Sequence, residues 1–182
     1  MVARLKLRIK LPPEEAALWR ERLKIATGYF IVFSIVATLV EGATFPDRRI
    51  QLGIAMVGYA MICGGAMIAV HLWPPFARTI TRISALALIG AMADYQLSVG
   101  SPVEVFLMPL VLYFCASALI VRDIGTQVMV CATGLAAVAV VGGITTNDLL
   151  PVAYSISVVL GATSITVPIA GVGDFAQRKQ LE

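Results

Sequence analysis

The sequence is poor in charge: 14% of its 182 residues are Asp, Glu, Lys or Arg, whereas 59% are hydrophobic. A soluble domain carries roughly a quarter charged residues. The shortage excludes intrinsic disorder, a basic nucleic-acid-binding surface and an ordinary soluble core. Because the apolar runs are continuous, they predict an all-α, polytopic membrane protein.

Residues that commonly bind metals or form cross-links are also scarce. The single histidine, His71, excludes bis-histidine haem ligation within one chain. Three cysteines, Cys63, Cys115 and Cys131, lie inside apolar runs, and we interpret them as small hydrophobic residues. The sequence contains no glycine-rich phosphate loop, serine nucleophile elbow or metal-hydrolase helix. It therefore predicts no catalytic residue, no metal site and no cofactor in this chain.

Six apolar stretches are long enough to cross a membrane, since a transmembrane helix needs about 20 mainly apolar residues. The predicted spans cover residues 25–44, 50–72, 79–99, 103–121, 124–146 and 149–173. Short segments rich in proline, glycine, aspartate and asparagine separate them. Loops this short predict that consecutive helices are antiparallel neighbours in a six-helix bundle.

The distribution of basic residues predicts the orientation. If the N-terminus is cytoplasmic, only Arg48 and Arg49 of the 14 basic residues lie outside. By the positive-inside rule, this asymmetry places both termini in the cytoplasm. The basic residues on the cytoplasmic side are Arg4, Lys6, Arg8, Lys10, Arg20, Arg22, Lys24, Arg78, Arg82, Arg122, Arg178 and Lys179.

Both ends of the membrane domain are predicted to be helical. Residues 1–24 are expected to form a cytoplasmic basic amphipathic helix, whose proline and glutamate residues at 12–15 favour a helix start. Trp19 and Trp73 are expected at the membrane boundary, which tryptophan prefers. Residues 174–182 are predicted to begin a cytoplasmic exit helix that contains Asp174, Phe175 and Arg178.

Carboxylates gather near the outer ends of the predicted spans. Glu41 and Asp94 lie in the outer thirds of the first and third spans, and Glu104 begins the fourth. Ionisable residues within membrane segments are costly and mark functional sites. Together with Tyr59, these residues are candidates for binding a cation or an amine. The alternative is that the carboxylates only extend to the membrane interface.

Small residues recur at helical spacing in the fifth span, at Ala132, Ala136, Ala139 and Gly143. Such residues let helix backbones approach closely within a membrane. One interpretation is the seam of a homodimer. The other is packing within the six-helix bundle.

The layout resembles the six-helix membrane module that precedes the cytosolic domain in bacterial class III adenylate cyclases. Similar modules precede diguanylate cyclase domains and quorum-sensing histidine kinases. The matching features are the basic helix at 19–24, the stretch from Asp94 to Phe106, the fifth span at 134–140 and the charged exit at 178–179.

The resemblance implies a receptor or anchoring module that dimerises and passes a signal through its last helix to an output domain beyond Glu182. That domain is expected to be an adenylate cyclase, and less readily a diguanylate cyclase or a histidine kinase. The implied partners are membrane lipid, a second copy, and a small or lipid-like ligand, an ion or another membrane protein. The alternative function is a small transporter or ion channel that uses the intramembrane carboxylates.

Overall fold

A computed structural model describes residues 11–146 and 148–181, with side chains described through 176. The predicted basic tail at 1–10 and Asn147 lie outside the described residues, as does the side chain of Arg178. Six described helices are long and apolar enough to cross a membrane. They are α1 (Pro13–Thr44), α2 (Arg49–Leu72), α3 (Ala77–Val99), α4 (Val103–Val121), α5 (Ile124–Thr145) and α6 (Leu149–Leu181).

The helix ends follow from local chemistry. Pro13 opens α1 with Glu14 and Glu15 in its first turn, where carboxylates complement the positive end of the helix dipole. Helix α3 ends at Gly100, which adopts a left-handed φ of 59° that glycine tolerates without strain. Short 3-10 turns, Pro46–Arg48 and Pro74–Phe76, connect α1 to α2 and α2 to α3.

Three helices form the centre of the bundle. The most apolar windows of α3, α4 and α5 are 39%, 39% and 33% buried, against 17% for α1, α2 and α6. The most extensive contacts join α5 with α6, α4 with α6, α2 with α3, and α3 with α5. Consecutive α3 and α4 touch only sparingly, although a short loop connects them. Loop length alone therefore does not determine which helices lie side by side.

The apolar core is built around aromatic and branched side chains of the central helices. Phe106, Leu110 and Phe114 of α4 are fully buried, as are Ile89 of α3 and Val130 of α5. Dispersion contacts and small-residue packing hold such an interior together, because lipid is as apolar as the side chains themselves.

A second apolar cluster surrounds Trp19 near the start of α1. Its indole is buried, with 2% of its surface exposed, and lies between the guanidinium groups of Arg22 and Arg78 at 5.5 and 5.4 Å. The Trp19 ring therefore contacts protein side chains, and its position at the membrane boundary stays a prediction. The ring packs inside the protein because two cations contact it. The residues just before α1 contact the α2–α3 turn, where Leu11 N–H donates to the Pro75 carbonyl. Trp73, in contrast, is exposed.

Helix α5 approaches α4 so closely at Gly134 that a side chain there has no room. A Cβ atom at Gly134 would lie 2.3 Å from Cζ of Phe114, whose ring is fully buried. We expect Gly134→Ala to destabilise the protein by about 1–3 kcal/mol, the usual cost of overpacking. The measurement is the unfolding temperature in detergent. Gly161→Ala on α6, where a Cβ atom meets nothing within 4 Å, is the control, and equal effects of the two variants would contradict the packing described.

Candidate ligand-binding site

A cavity of about 430 Å³ opens among α1, α2, α3 and α4. Its walls are largely apolar, with methionine side chains from three of these helices and aromatic rings from three of them. A few polar groups are placed among them, which is the usual composition of a small-molecule site. The polar lining residues are Ser34, Thr38, Glu41, Thr44, Tyr59, Tyr95 and Gln96.

Glu41 is the charged group of this lining. Its Oε1 accepts a hydrogen bond of 2.5 Å from the hydroxyl of Tyr95. Arg48 Nη1 lies 3.7 Å from the same oxygen but donates its shorter bond, 2.6 Å, to Oγ of Ser101. The guanidinium also lies over the ring of Phe45, at 4.4 Å. We call this end of the bundle, defined by Glu41, Arg48 and Ser101, the carboxylate end.

Gln96 lies beside Tyr95 in the chain and lines the same cavity. The residue is only 4% exposed, and its side-chain Oε1 is fully buried without a hydrogen-bond partner in the described part of the chain. An unsatisfied buried amide oxygen costs free energy, typically about 1–3 kcal/mol. This oxygen has no surface accessible from the cavity, so its cost falls on the stability of the protein.

Phe30 forms the floor of the cavity. Its ring packs edge to face against Tyr59 at 5.4 Å and Tyr113 at 5.9 Å. On its other side lies a smaller cavity of about 50 Å³, which reaches Thr126 at the start of α5. Phe30 thus separates two cavities that follow one another along the bundle.

The structure brings together only some of the residues that the sequence analysis nominated. Glu41 and Tyr59 line the cavity, whereas Asp94 is exposed on α3 and Glu104 is exposed on the first turn of α4. The charge of Asp94 still acts on Tyr59, as does that of Glu41. The single pocket predicted around Glu41 and Asp94 is therefore built by Glu41, with Asp94 at its outside.

The proposed seam residues share one outward face of α5. Ala132, Ala136, Ala139 and Gly143 are all exposed, and a Cβ atom at Gly143 would meet nothing within 4 Å. These small residues do not pack within the bundle. Their face is available to another helix.

Sequence reasoning missed a polar network at the opposite end of the bundle. Asp123 caps α5, since its Oδ2 accepts from the backbone N–H of Thr126 at 2.8 Å and from the Thr126 hydroxyl. Arg82 of α3 reaches the same carboxylate at 2.9 Å and donates to Thr126 Oγ1 at 3.0 Å. We call this end, defined by Arg22, Arg78, Arg82 and Arg122, the arginine end.

Helix α6 meets the arginine end at Gly173. A Cβ atom there would lie 3.0 Å from the side chain of Arg122, which itself holds a left-handed φ of 49° in the α4–α5 turn. Arg22 of α1 interacts electrostatically with the carboxylates of Asp123 and Asp174. The start of α1, the α4–α5 turn and the end of α6 therefore form one charged contact region.

A second missed feature is a polar clasp within the spans. Gln127 of α5 is 2% exposed; its Oε1 accepts from Ser117 at 2.7 Å, and its Nε2 donates to the Phe114 carbonyl at 3.2 Å. Cys131 lies 3.5 Å from Gln127 and 3.8 Å from Thr166 of α6. The clasp joins α4, α5 and α6. The sequence does contain an indication of this clasp, because an amide side chain in an apolar run needs a hydrogen-bond partner.

Metal ligands are not clustered in the described residues: they contain no group of three His, Cys, Asp or Glu side chains that could hold an ion. Cys63, Cys115 and Cys131 are free thiols, the first and last of them buried.

Comparison with known proteins gives no relative: no protein-family model matches the chain, and no curated protein or solved structure is similar to it.

Because of the hydrogen bonds to Asp123, the free energy of unfolding depends on pH in the acid range. Burial alone raises the pKa of this carboxyl, but hydrogen bonds from Thr126 and Arg82 outweigh it and hold the pKa below its ordinary 3.8. A lowered pKa contributes stability that is present above pH 3.8 and is lost as pH falls through the folded-state value. We expect Asp123→Asn to cost about 1–2 kcal/mol at pH 7 and progressively less below pH 3.8.

The measurement is the unfolding temperature in detergent from pH 7 to pH 3. Asp47→Asn, an exposed aspartate in the α1–α2 turn, is the matched control. A gap between wild type and Asp123→Asn that stays constant with pH would contradict the assignment.

Proposed function

We propose that the chain is a membrane-embedded receptor and anchoring module. In this proposal two copies form a homodimer in a bacterial inner membrane, with antiparallel helices and both termini cytoplasmic. The last helix passes a signal to an output domain beyond Glu182, first of all an adenylate cyclase that forms cAMP. The orientation is supported by the basic residues, because Arg22, Arg78, Arg82 and Arg122 share the arginine end.

The observation that carries the proposal is that α1 and α3 each extend from the cavity to the arginine end. Helix α1 lines the cavity with Glu41 and reaches the arginine end with Arg22. Helix α3 lines it with Gln96 and reaches the same end with Arg82. A displacement of either helix at the cavity is therefore passed to the region that contacts α6.

A ligand shifts the output only if it binds one arrangement of the helices better than another. The cavity suits this requirement, since four helices form its wall and each contributes side chains. A molecule that binds between Glu41 of α1 and Tyr95 of α3 changes the spacing of these two helices. A differential affinity of about 1–3 kcal/mol is the usual size of such coupling.

The exposed face of α5 supports the dimer. Its surface consists of small residues that another helix can approach closely: Ala132, Ala136, Ala139 and Gly143. Within a membrane the hydrophobic effect does not bring helices together, so close packing of this kind is what favours their association. Close backbone approach between two copies would place their α6 helices side by side. The output domains would then be held as a pair.

The test joins the whole chain through Glu182 to a cyclase domain that is active only as a dimer, and measures cAMP in cells without other cyclases. We expect Ala136→Leu and Ala139→Leu to lower output by roughly fivefold or more, because the bulkier side chain separates the helices. Ala153→Leu, on an exposed face of α6, is the matched control at equal protein level. Output that is unchanged in both seam variants would overturn the dimeric receptor.

A small transporter or channel is the second candidate, and the two cavities in series favour it. Phe30 would then act as the barrier between them. Cation uptake into proteoliposomes that is lost in Glu41→Gln and raised in Phe30→Ala would support transport over reception.

A further inference from the structure

The ligand class follows from the charge and hydrogen-bonding capacity of the cavity. Among the residues that line it, Glu41 is the one with a formal charge at neutral pH. Arg48 approaches Glu41 from the α1–α2 turn, but its Nη1 donates to Ser101 and its face lies on Phe45. Glu41 is therefore the anionic group of the lining, with Arg48 as an ion-pair partner 3.7 Å away.

The Glu41 carboxylate has an oxygen left for a ligand. Its hydrogen bond from Tyr95 and its ion pair with Arg48 both fall on Oε1, which leaves the second oxygen to a donor in the cavity. Gln96 also lines the cavity, but its unpartnered Oε1 has no accessible surface, so a molecule in the cavity does not reach it. The cavity therefore recognises a ligand through the carboxylate.

The remaining walls are apolar and aromatic. Phe30, Phe33 and Tyr59 supply aromatic rings, and Met92 and Met108 supply adaptable apolar surface. A small inorganic cation does not use these surfaces and needs several oxygen ligands. An organic cation with an apolar body uses all of them.

We propose that this cavity binds a primary amine with an apolar chain, its ammonium group donating to the Glu41 carboxylate. The chain lies among the aromatic and methionine side chains above Phe30. This inference rests on the proposed function only in making the amine the signal; binding itself depends on the cavity alone.

The experiment measures binding to the whole chain in lipid nanodiscs by isothermal titration calorimetry, with empty nanodiscs subtracted to remove membrane partition. The probes are octylamine, 1-octanol, octanoate and octyltrimethylammonium, which share an apolar chain and differ in the polar group. We expect octylamine to bind most tightly. The trimethyl compound should bind more weakly, because it has no N–H to donate to the Glu41 carboxylate.

Two variants separate ligand recognition from folding. Glu41→Gln should weaken octylamine binding by roughly 10- to 100-fold, the usual effect of losing a charged hydrogen bond. Gln96→Leu should leave octylamine binding within about twofold of wild type, yet raise the unfolding temperature of the empty protein, because it removes a buried unsatisfied oxygen that does not contact the ligand. Glu104→Gln is the control with the same charge change outside the cavity lining.

Equal binding of octylamine and 1-octanol, or octylamine binding that Glu41→Gln leaves unchanged, would overturn the proposal. Octylamine added to the cyclase fusion tests the function separately. If it binds the wild type and not Glu41→Gln while cAMP stays constant, the ligand class stands and the receptor role fails. If it does not bind, the ligand class fails, and the seam variants still decide the receptor role.

Discussion

The structure depends on one constraint: a polar group inside an apolar bundle must find its partner within the protein, because lipid offers none. Three polar contacts meet it. The Glu41 carboxylate accepts a hydrogen bond from Tyr95. The Gln127 side chain accepts from Ser117 and donates to the Phe114 carbonyl. The Asp123 carboxylate accepts from Arg82 and Thr126. Each contact joins different helices or turns, so satisfying polar groups also determines which helices lie together. Exceptions remain among the described residues: Gln96 Oε1 of α3 and Ser155 Oγ of α6, for example, are buried without a partner.

Hydropathy reveals which segments cross a membrane but not how they pack, and this difference determines how much of the fold was predictable. The six spans could be recognised because hydropathy over about 20 residues responds to the thickness of the bilayer. The order of helices around the bundle could not, because every face of such a helix is apolar and loop length only limits the choices. The sparse contact between α3 and α4 shows this, since the short loop at Gly100 predicted neighbours.

The site was predictable in the same partial way. Glu41 and Tyr59 stand out as polar groups in apolar runs, and both line the cavity. Asp94 stands out equally, yet it is exposed, because α3 directs Tyr95 and Gln96 into the cavity and the residue just before them turns outward. Periodicity distinguishes faces only where one is polar, and α3 has no such face. Gln96 therefore could not be preferred over Asp94 before the helices were packed.

The position of Phe30 bears on which of the two functions the bundle suits. A pore needs a continuous polar path, whereas Phe30 packs edge to face on Tyr59 and Tyr113 and closes the floor of the large cavity. The space beyond it is about 50 Å³, too little for an organic molecule that fills the 430 Å³ above. A cavity that ends on a packed aromatic cluster holds a ligand against side chains of four helices instead of passing it on. Because two of those helices also reach the charged region beside Gly173, retention of a ligand favours reception over transport.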